Sequence, residues 1–284
     1  MTARIIDGKA ISAKRRAAVA ERVTEMKAQG IRPGLAVVIV GNDPASEVYV
    51  RNKVKACEET GILSEKVEMP ATTTQAELLA VVEELNARDD IHGILVQFPL
   101  PEGLDEDEVI ETISIHKDVD GFHPESIGRL VVGKDTFVSC TPAGCMVLLE
   151  ESGIDLKGKD VVVVGRSNNV GKPAGLLALN QHATVQFCHS RTDDLPGHVR
   201  KADVVIVAVG RPEMVKGDWF KPGAVVIDVG INRTDAGLVG DVEFSSASEV
   251  ASAITPVPGG VGPMTIAMLL ENTLTAAARA AGLS

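Results

Sequence analysis

Tyr49 and Lys53 stand four residues apart, a spacing that stacks a phenol and an amine on one side of a helix. At the edge of a cleft such a pair can act on one bound molecule, the ring packing against it while the amine moves a proton or polarises an atom. For a random pair, a surface lysine beside a core-edge tyrosine is the commoner arrangement, so the pair gains weight from what converges on it. Gln97 lies at the carboxyl end of the apolar run Gly93–Phe98, just before Pro99 stops it, and open α/β sheets bind ligands beyond that end of their strands. Asp120, in His116-Lys-Asp-Val-Asp-Gly121, is a loop carboxylate suited to the N–H donors of a ring. The Asp118-x-Asp120-Gly pattern is followed by no further carboxylates at calcium-loop spacing, and the six histidines form no His-x-x-x-His pair. No metal site and no Ser-His-Asp set is expected.

A second group follows Val161–Val164. There Gly165-Arg166-Ser167-Asn168-Asn169-Val170-Gly171 joins a buried-strand pattern to an apolar helix. Such a turn sets backbone N–H groups and the positive end of a helix against a pyrophosphate. It departs from Gly-x-Gly-x-x-Gly, because Ser167 replaces the second glycine and Gly171 comes one residue late; alone, it is a weak signal. The next strand, Thr184–Cys188, ends at His189-Ser190-Arg191-Thr192, with no acid before Asp193. An NAD site uses an acid there for the ribose hydroxyls. Ser190 and Arg191, with Arg166 from the first turn, instead suit a 2′-phosphate, which a guanidinium fork meets with charge-assisted bonds. The cofactor expected is NADP.

The elements that must position these residues are legible as alternating patterns. Leu35–Val40, Ile94–Phe98, Val161–Val164, Val204–Val209 and Val225–Val229 are short, continuous and β-branched, as strands buried on both faces are. The intervals accommodate crossover helices, so the class is α/β with a parallel sheet. Ser46 is expected to cap the helix carrying Tyr49 and Lys53, with Val50, Val54 and Cys57 facing the core. Thr141 is expected to cap a second helix, with Pro142 in its first turn. We expect two lobes: 1–140 as substrate domain, 141–262 as a Rossmann-like cofactor domain, and 263–284 as a C-terminal helix returning to the first lobe, with the ligand in the cleft between lobes.

Charge and composition narrow the partners. The net charge of −11 opposes binding to a polyanion, which needs cations to displace counterions. The apolar stretch Ile266–Ala281 is broken by Glu271, Asn272 and Arg279 and is short for a bilayer of about 30 Å. The N-terminal residues show neither signal-peptide nor transit character. The four scattered cysteines read as reduced thiols. The expectation is a cytoplasmic protein with no nucleic-acid or membrane partner.

Taken in order, these stretches resemble the bifunctional methylenetetrahydrofolate dehydrogenase/methenyltetrahydrofolate cyclohydrolase family. The likeness runs from Ile6-Asp-Gly-Lys9 to the last helix. Its most specific parts are Asp43-Pro-Ala-Ser46 with Tyr49-x-x-x-Lys53, Gly93-Ile-Leu-Val-Gln-Phe-Pro-Leu-Pro101, Lys117-Asp-Val-Asp-Gly-Phe122, Cys140-Thr-Pro142, Gly165-Arg-Ser167 with Val170-Gly171, and Pro256-Val-Pro-Gly-Gly-Val-Gly-Pro-Met-Thr265. Asn169 departs from it, standing where such loops usually carry an apolar residue.

The resemblance implies NADP as hydride acceptor, a homodimer formed through the cofactor lobes, and a place in one-carbon metabolism and purine biosynthesis. It implies oxidation of 5,10-methylene- to 5,10-methenyltetrahydrofolate, then hydrolysis to 10-formyltetrahydrofolate. Carried over by position, Lys53 is the central catalytic residue, Tyr49 packs on the folate, Gln97 tunes Lys53 and Asp120 binds the pterin. Pro258 and Gly259 line the folate site, Ser46 joins it, and Gly165, Arg166, Ser167, Gly171, Ser190, Arg191 and Ile231 bind the cofactor. Hydride departure needs no protein base, because the folate nitrogens stabilise the cation left behind. For the hydrolysis, either a neutral Lys53 accepts a proton from water, or a charged Lys53 polarises a folate nitrogen while another group takes the proton. The rival readings are a dehydrogenase-only folate enzyme using NAD, an amino-acid or shikimate-type dehydrogenase, and a module that senses NADP without chemistry.

Overall fold

The computed structural model describes residues 2–235 and 237–283. The chain begins with β1 (Arg4–Ile5), α1 (Gly8–Ala28), β2 (Gly34–Val40), α2 (Pro44–Thr60), β3 (Leu63–Met69), α3 (Gln75–Ala87) and β4 (Gly93–Val96). Helices α4 (Glu106–Thr112), α5 (Pro124–Val131) and α6 (Cys140–Glu151) follow. Next come β5 (Asp160–Val164), α7 (Gly171–Asn180), β6 (Thr184–Cys188), α8 (Leu195–Val199), β7 (Val204–Val207) and β8 (Val225–Asp228). The chain closes with the hairpin β9 (Asn232–Thr234) and β10 (Gly237–Val239), then α9 (Phe244–Val250), β11 (Ala253–Ile254) and α10 (Val261–Ala280).

The fold is α/β, in two compact units. One holds Lys14–Arg129, Asp135–Val138 and the chain from Ile266 onward; the other holds the chain up to Ala13, Leu130–Lys134 and Ser139–Thr265. In the first unit the sheet order is β3-β2-β4, all parallel. The central strand, Gly-Leu-Ala-Val-Val-Ile-Val, is buried along its whole length, which explains its unbroken apolar run. Leu78, Val82 and Leu85 of α3 pack on Ala36, Val38, Ile94 and Val96; each such side chain contributes about 1.5–3 kcal/mol by leaving water. Thr74 and Glu77 start α3 with a reciprocal capping box. The distal part of α10 is tied into this unit by Glu271, which pairs with Arg15 at 2.7 Å.

In the second unit the order is β1-β11-β8-β7-β5-β6, parallel throughout. The chain passes from β5 to β6 on one side and then to β7 on the other, so the order reverses at β5, where ligands of such sheets bind. Among the described residues, no helix is long and apolar enough to cross a membrane.

Residues up to Ala13 group with the second unit because β1 pairs with β11. Several local expectations need correction. Asp43, not Ser46, caps α2, its carboxylate accepting the Ser46 N–H at 2.7 Å. The cap position of α6 is Ser139, without a side-chain cap bond, and the Thr141 hydroxyl instead meets that of Thr265 at 2.9 Å. The last helix begins at Val261, ahead of the expected start.

Candidate active site

In the first unit, Gly41 turns the chain out of β2 with φ +80°, and the Asp43 cap with Pro44 behind it launches α2. That start fixes the rotation of the helix. Val50 and Cys57 are fully buried. Tyr49 and Lys53 do not share one environment: Tyr49 is 45% exposed, whereas Lys53 is only 9% exposed. The Lys53 amine donates to Gln97 Oε1 at 3.0 Å. Gln97 is itself held twice, its backbone N–H on Val38 O at 2.8 Å and its side-chain Nε2 on Phe98 O at 2.6 Å. With Nε2 committed, the amide oxygen must face the lysine. A buried amine is thus aimed by an amide at the carboxyl end of β4, an arrangement suited to moving a proton or polarising a ligand atom.

Asp120 sits on a loop built by its neighbours. Ile94 of β4 donates to Lys117 O at 2.9 Å. The Lys117 amine caps the end of α3 through the carbonyls of Leu85, Asn86 and Arg88 at 3.1, 2.8 and 2.6 Å. Burial lowers its pKa. Asp118, 2% exposed, accepts from the N–H groups of Phe122 and His123 and the hydroxyl of Ser126; burial pushes its carboxyl up to about 6, those bonds pulling the other way. Asn272 of α10 holds Val119 O at 2.8 Å. A Cβ on Gly93 would come within 2.8 Å of the Val119 side chain, so only glycine lets this loop lie against β4. Asp118 is therefore the structural acid of the loop, whereas Asp120 is half-buried. Among the described residues, no group of three or more His, Cys, Asp or Glu is placed to hold a metal ion.

In the second unit, Gly165 leaves β5 at φ +133°, and a Cβ there would lie 2.2 Å from Ala208 O. A Cβ on Gly171 would lie 2.6 Å from Gly165 backbone atoms. Both glycines are demanded by backbone approach. The Ser167 hydroxyl accepts the Gly171 N–H at 3.2 Å, while the cap position of α7 is Val170. Asn169 is exposed, and its carbonyl accepts from the Ser139 hydroxyl, so its polarity costs the helix start nothing.

Val164 and Cys188 are register partners in β5 and β6. Arg166 and Ser190, each two residues further on, leave the sheet at the same level. Arg166, Ser190 and Arg191 are all exposed, and the tip is tightened by Thr192, which accepts the His189 N–H at 2.9 Å. This donor set, with no acid among it, fits a 2′-phosphate.

Ile231 follows β8 and is 44% exposed. Pro258 and Gly259 also belong to this unit, not to that of Lys53. Gly259, at φ +107°, accepts the Lys9 N–H at 3.1 Å. The geometry thus joins Lys53 with Gln97, and sets Arg166 and Ser190–Arg191 just beyond neighbouring, register-paired strand ends. Two buried acids escaped the sequence reading, Asp228 and Asp241. Their only signal was a flanking glycine in Asp228-Val-Gly230 and Gly240-Asp241. Burial pushes the Asp228 carboxyl up to about 7, opposed by three backbone N–H bonds.

Comparison with known proteins agrees with both halves. Residues 6–120 match the tetrahydrofolate dehydrogenase/cyclohydrolase catalytic domain, and residues 139–281 match the NAD(P)-binding domain of the same family. The chain is 66% identical over 274 residues to the bifunctional protein FolD 2 of Geobacter metallireducens, covering 96% of each. It superposes with a TM-score of 0.96 on the bifunctional methylenetetrahydrofolate dehydrogenase/cyclohydrolase FolD of Campylobacter jejuni, at 50% identity over 97% of this chain and 98% of that one. The Trypanosoma brucei dehydrogenase–cyclohydrolase, solved with NADP and an inhibitor, gives 0.94 at 41% identity over 99% of each. The chain belongs to the tetrahydrofolate dehydrogenase/cyclohydrolase family.

Proposed function

We propose that this chain oxidises 5,10-methylenetetrahydrofolate to 5,10-methenyltetrahydrofolate with NADP and then hydrolyses the product to 10-formyltetrahydrofolate. The observation that carries this reading is the buried Lys53 amine aimed by Gln97. Lys53 is the residue of the hydrolytic step, handling the proton of the attacking water or polarising the folate nitrogen. Gln97 orients it, Tyr49 offers its exposed ring to the folate, and Asp120 accepts from the N–H groups of the pterin. Ser46, Pro258 and Gly259 are folate contacts on the family motifs alone.

NADP, when bound, supplies the hydride acceptor. Gly165, Ser167 and Gly171 cradle its pyrophosphate, Ile231 meets it beyond β8, and Arg166, Ser190 and Arg191 select it by the 2′-phosphate. The experiment is a spectrophotometric assay with methylenetetrahydrofolate and either NADP or NAD. A rise in reduced cofactor, faster with NADP, is expected. No rise with either would leave a sensing module, and a faster rise with NAD would favour the dehydrogenase-only reading.

The second unit is also the seat of a proposed homodimer. Its sheet ends at β6, whose Thr-Val-Gln-Phe-Cys sequence carries neither charge nor proline, and Phe187 is 40% exposed. Edge strands that must stay single usually carry such guards, so this edge suits a symmetric second copy. Sedimentation at micromolar concentration is expected to give twice the mass of one chain; a single-chain mass would refute the dimer. A cytoplasmic setting accords with four free, buried cysteines, and cell fractionation tests it. The formyl product fits a supply role in purine biosynthesis, so a strain lacking the chain and any equivalent activity should need added purine.

A further inference from the structure

Asp228 and Asp241 are 3% and 0% exposed, and all the side-chain partners seen for them are N–H groups. Asp228 Oδ1 accepts from the backbone of Gly230 and of Asp241, both at 3.0 Å, and Oδ2 from that of Val242 at 2.9 Å. Asp241 Oδ2 accepts from the backbone of Val209 at 2.6 Å and Gly210 at 2.9 Å. Its Oδ1 accepts from the backbone of Arg211 at 2.9 Å and the Asn232 amide at 2.8 Å. The two acids form a relay: Asp228 holds the backbone of Asp241, and Asp241 holds the segments that follow β7 and β8. Backbone closes around them without side chains, since a Cβ on Gly240 would lie 1.8 Å from Asp228 Oδ2 and one on Gly230 2.4 Å from Asp241 Oδ1. Withdrawing a carboxylate from water is costly, and here several amide donors offset the cost in order to fix two loops.

The place of these loops gives the relay its purpose. A dinucleotide lies across the point where the strand order reverses, here between β5 and β7. Its pyrophosphate belongs on the Gly165 turn and its adenosine 2′-phosphate at the tip of β6. The other half must then extend over the ends of β7 and β8, where Gly210, Arg211 and Ile231 are exposed. We propose that Asp228 and Asp241 are positioning residues that hold Val209–Arg211 and Gly230–Asn232 as a rigid platform for the nicotinamide-bearing half of NADP. The proposal rests on the NADP reading above and adds the groups that aim the reacting ring.

The test is Asp241→Asn, which keeps the side chain's size but turns one accepting oxygen into a donor facing N–H groups. Binding of NADP is compared with binding of adenosine 2′,5′-bisphosphate, which carries the 2′-phosphate but no nicotinamide. Affinity for NADP is expected to fall about tenfold, as the loss of one or two charge-assisted bonds predicts. The bisphosphate should bind within about twofold of wild type, as should the rate of methenyltetrahydrofolate hydrolysis without cofactor, because neither uses the platform. Unchanged NADP binding, or an equal loss of both ligands, would overturn the proposal. If Asp241→Asn does not fold, Asn232→Ala carries the test: it removes one bond to Asp241, and about a threefold loss confined to NADP is expected, with no such selective loss refuting the platform. Wild-type protein that binds neither ligand would instead refute the NADP reading.

Discussion

Replacing Lys53 with Met is expected to lower hydrolysis of methenyltetrahydrofolate by about 10²–10⁴-fold, the range for loss of a positioned proton-transfer group. Met matches the length and apolar stem of lysine, so the buried site stays filled. Gln97 is only partly buried, so water can satisfy its freed oxygen and the melting temperature should fall little. Formation of NADPH should suffer less, roughly tenfold, because hydride departure uses no protein base and loses only positioning. Methenyltetrahydrofolate should therefore accumulate, visible by its own absorbance. Lys53→Arg then separates the two roles open to the amine. Arginine keeps a charge but does not give up a proton near neutral pH; substantial recovery would mean that charge suffices, and none would mean that Lys53 takes the proton. Near-normal hydrolysis in Lys53→Met would remove Lys53 from the mechanism.

The second large effect is expected at the cofactor tip. Arg166 and Arg191 are exposed, so their bonds to a 2′-phosphate are screened and sit at the low end of charge-assisted bonds. At about tenfold each, the double variant Arg166→Ala, Arg191→Ala should raise KM for NADP by about 10²-fold while leaving KM for NAD within about twofold. Wild-type preference should also shrink as salt rises. Equal losses with both cofactors would assign the arginines to the fold rather than to selection.

How far the sequence could foresee this molecule depends on what made each element. Val161–Val164, Val204–Val207 and Val225–Asp228 lie within buried parallel strands, and unbroken β-branched runs announce such strands directly. By contrast β3, Leu-Ser-Glu-Lys-Val-Glu-Met, has a half-exposed pattern and pairs only with β2, so its charges hid it. The two-residue strands β1 and β11 exist through pairing alone, which moves the N-terminal residues into the second unit.

Motif spacing placed Tyr49, Lys53 and Gln97 correctly along their elements but said nothing of burial. That Lys53 is nearly enclosed while Tyr49 is open depends on how α2 packs after its cap at Asp43, ten and six residues before them respectively, and that packing is tertiary. The burial of Asp118, Asp228 and Asp241 was illegible for a related reason. Composition assigns acids to the surface, and only donors brought in by tertiary structure make their burial tolerable. Sequence pointed to candidate ligand contacts more readily than to the buried groups that hold their loops.

The measurement that bears most directly on the account is the product balance in a single reaction. Wild-type protein is mixed with methylenetetrahydrofolate and NADP, and NADPH and 10-formyltetrahydrofolate are quantified in the same quenched samples. One formyl product for each NADPH, with methenyltetrahydrofolate only transient, is the predicted result. NADPH accompanied by lasting methenyltetrahydrofolate, with formyl product no faster than in protein-free buffer, would contradict it and leave the buried Lys53–Gln97 pair without its assigned task.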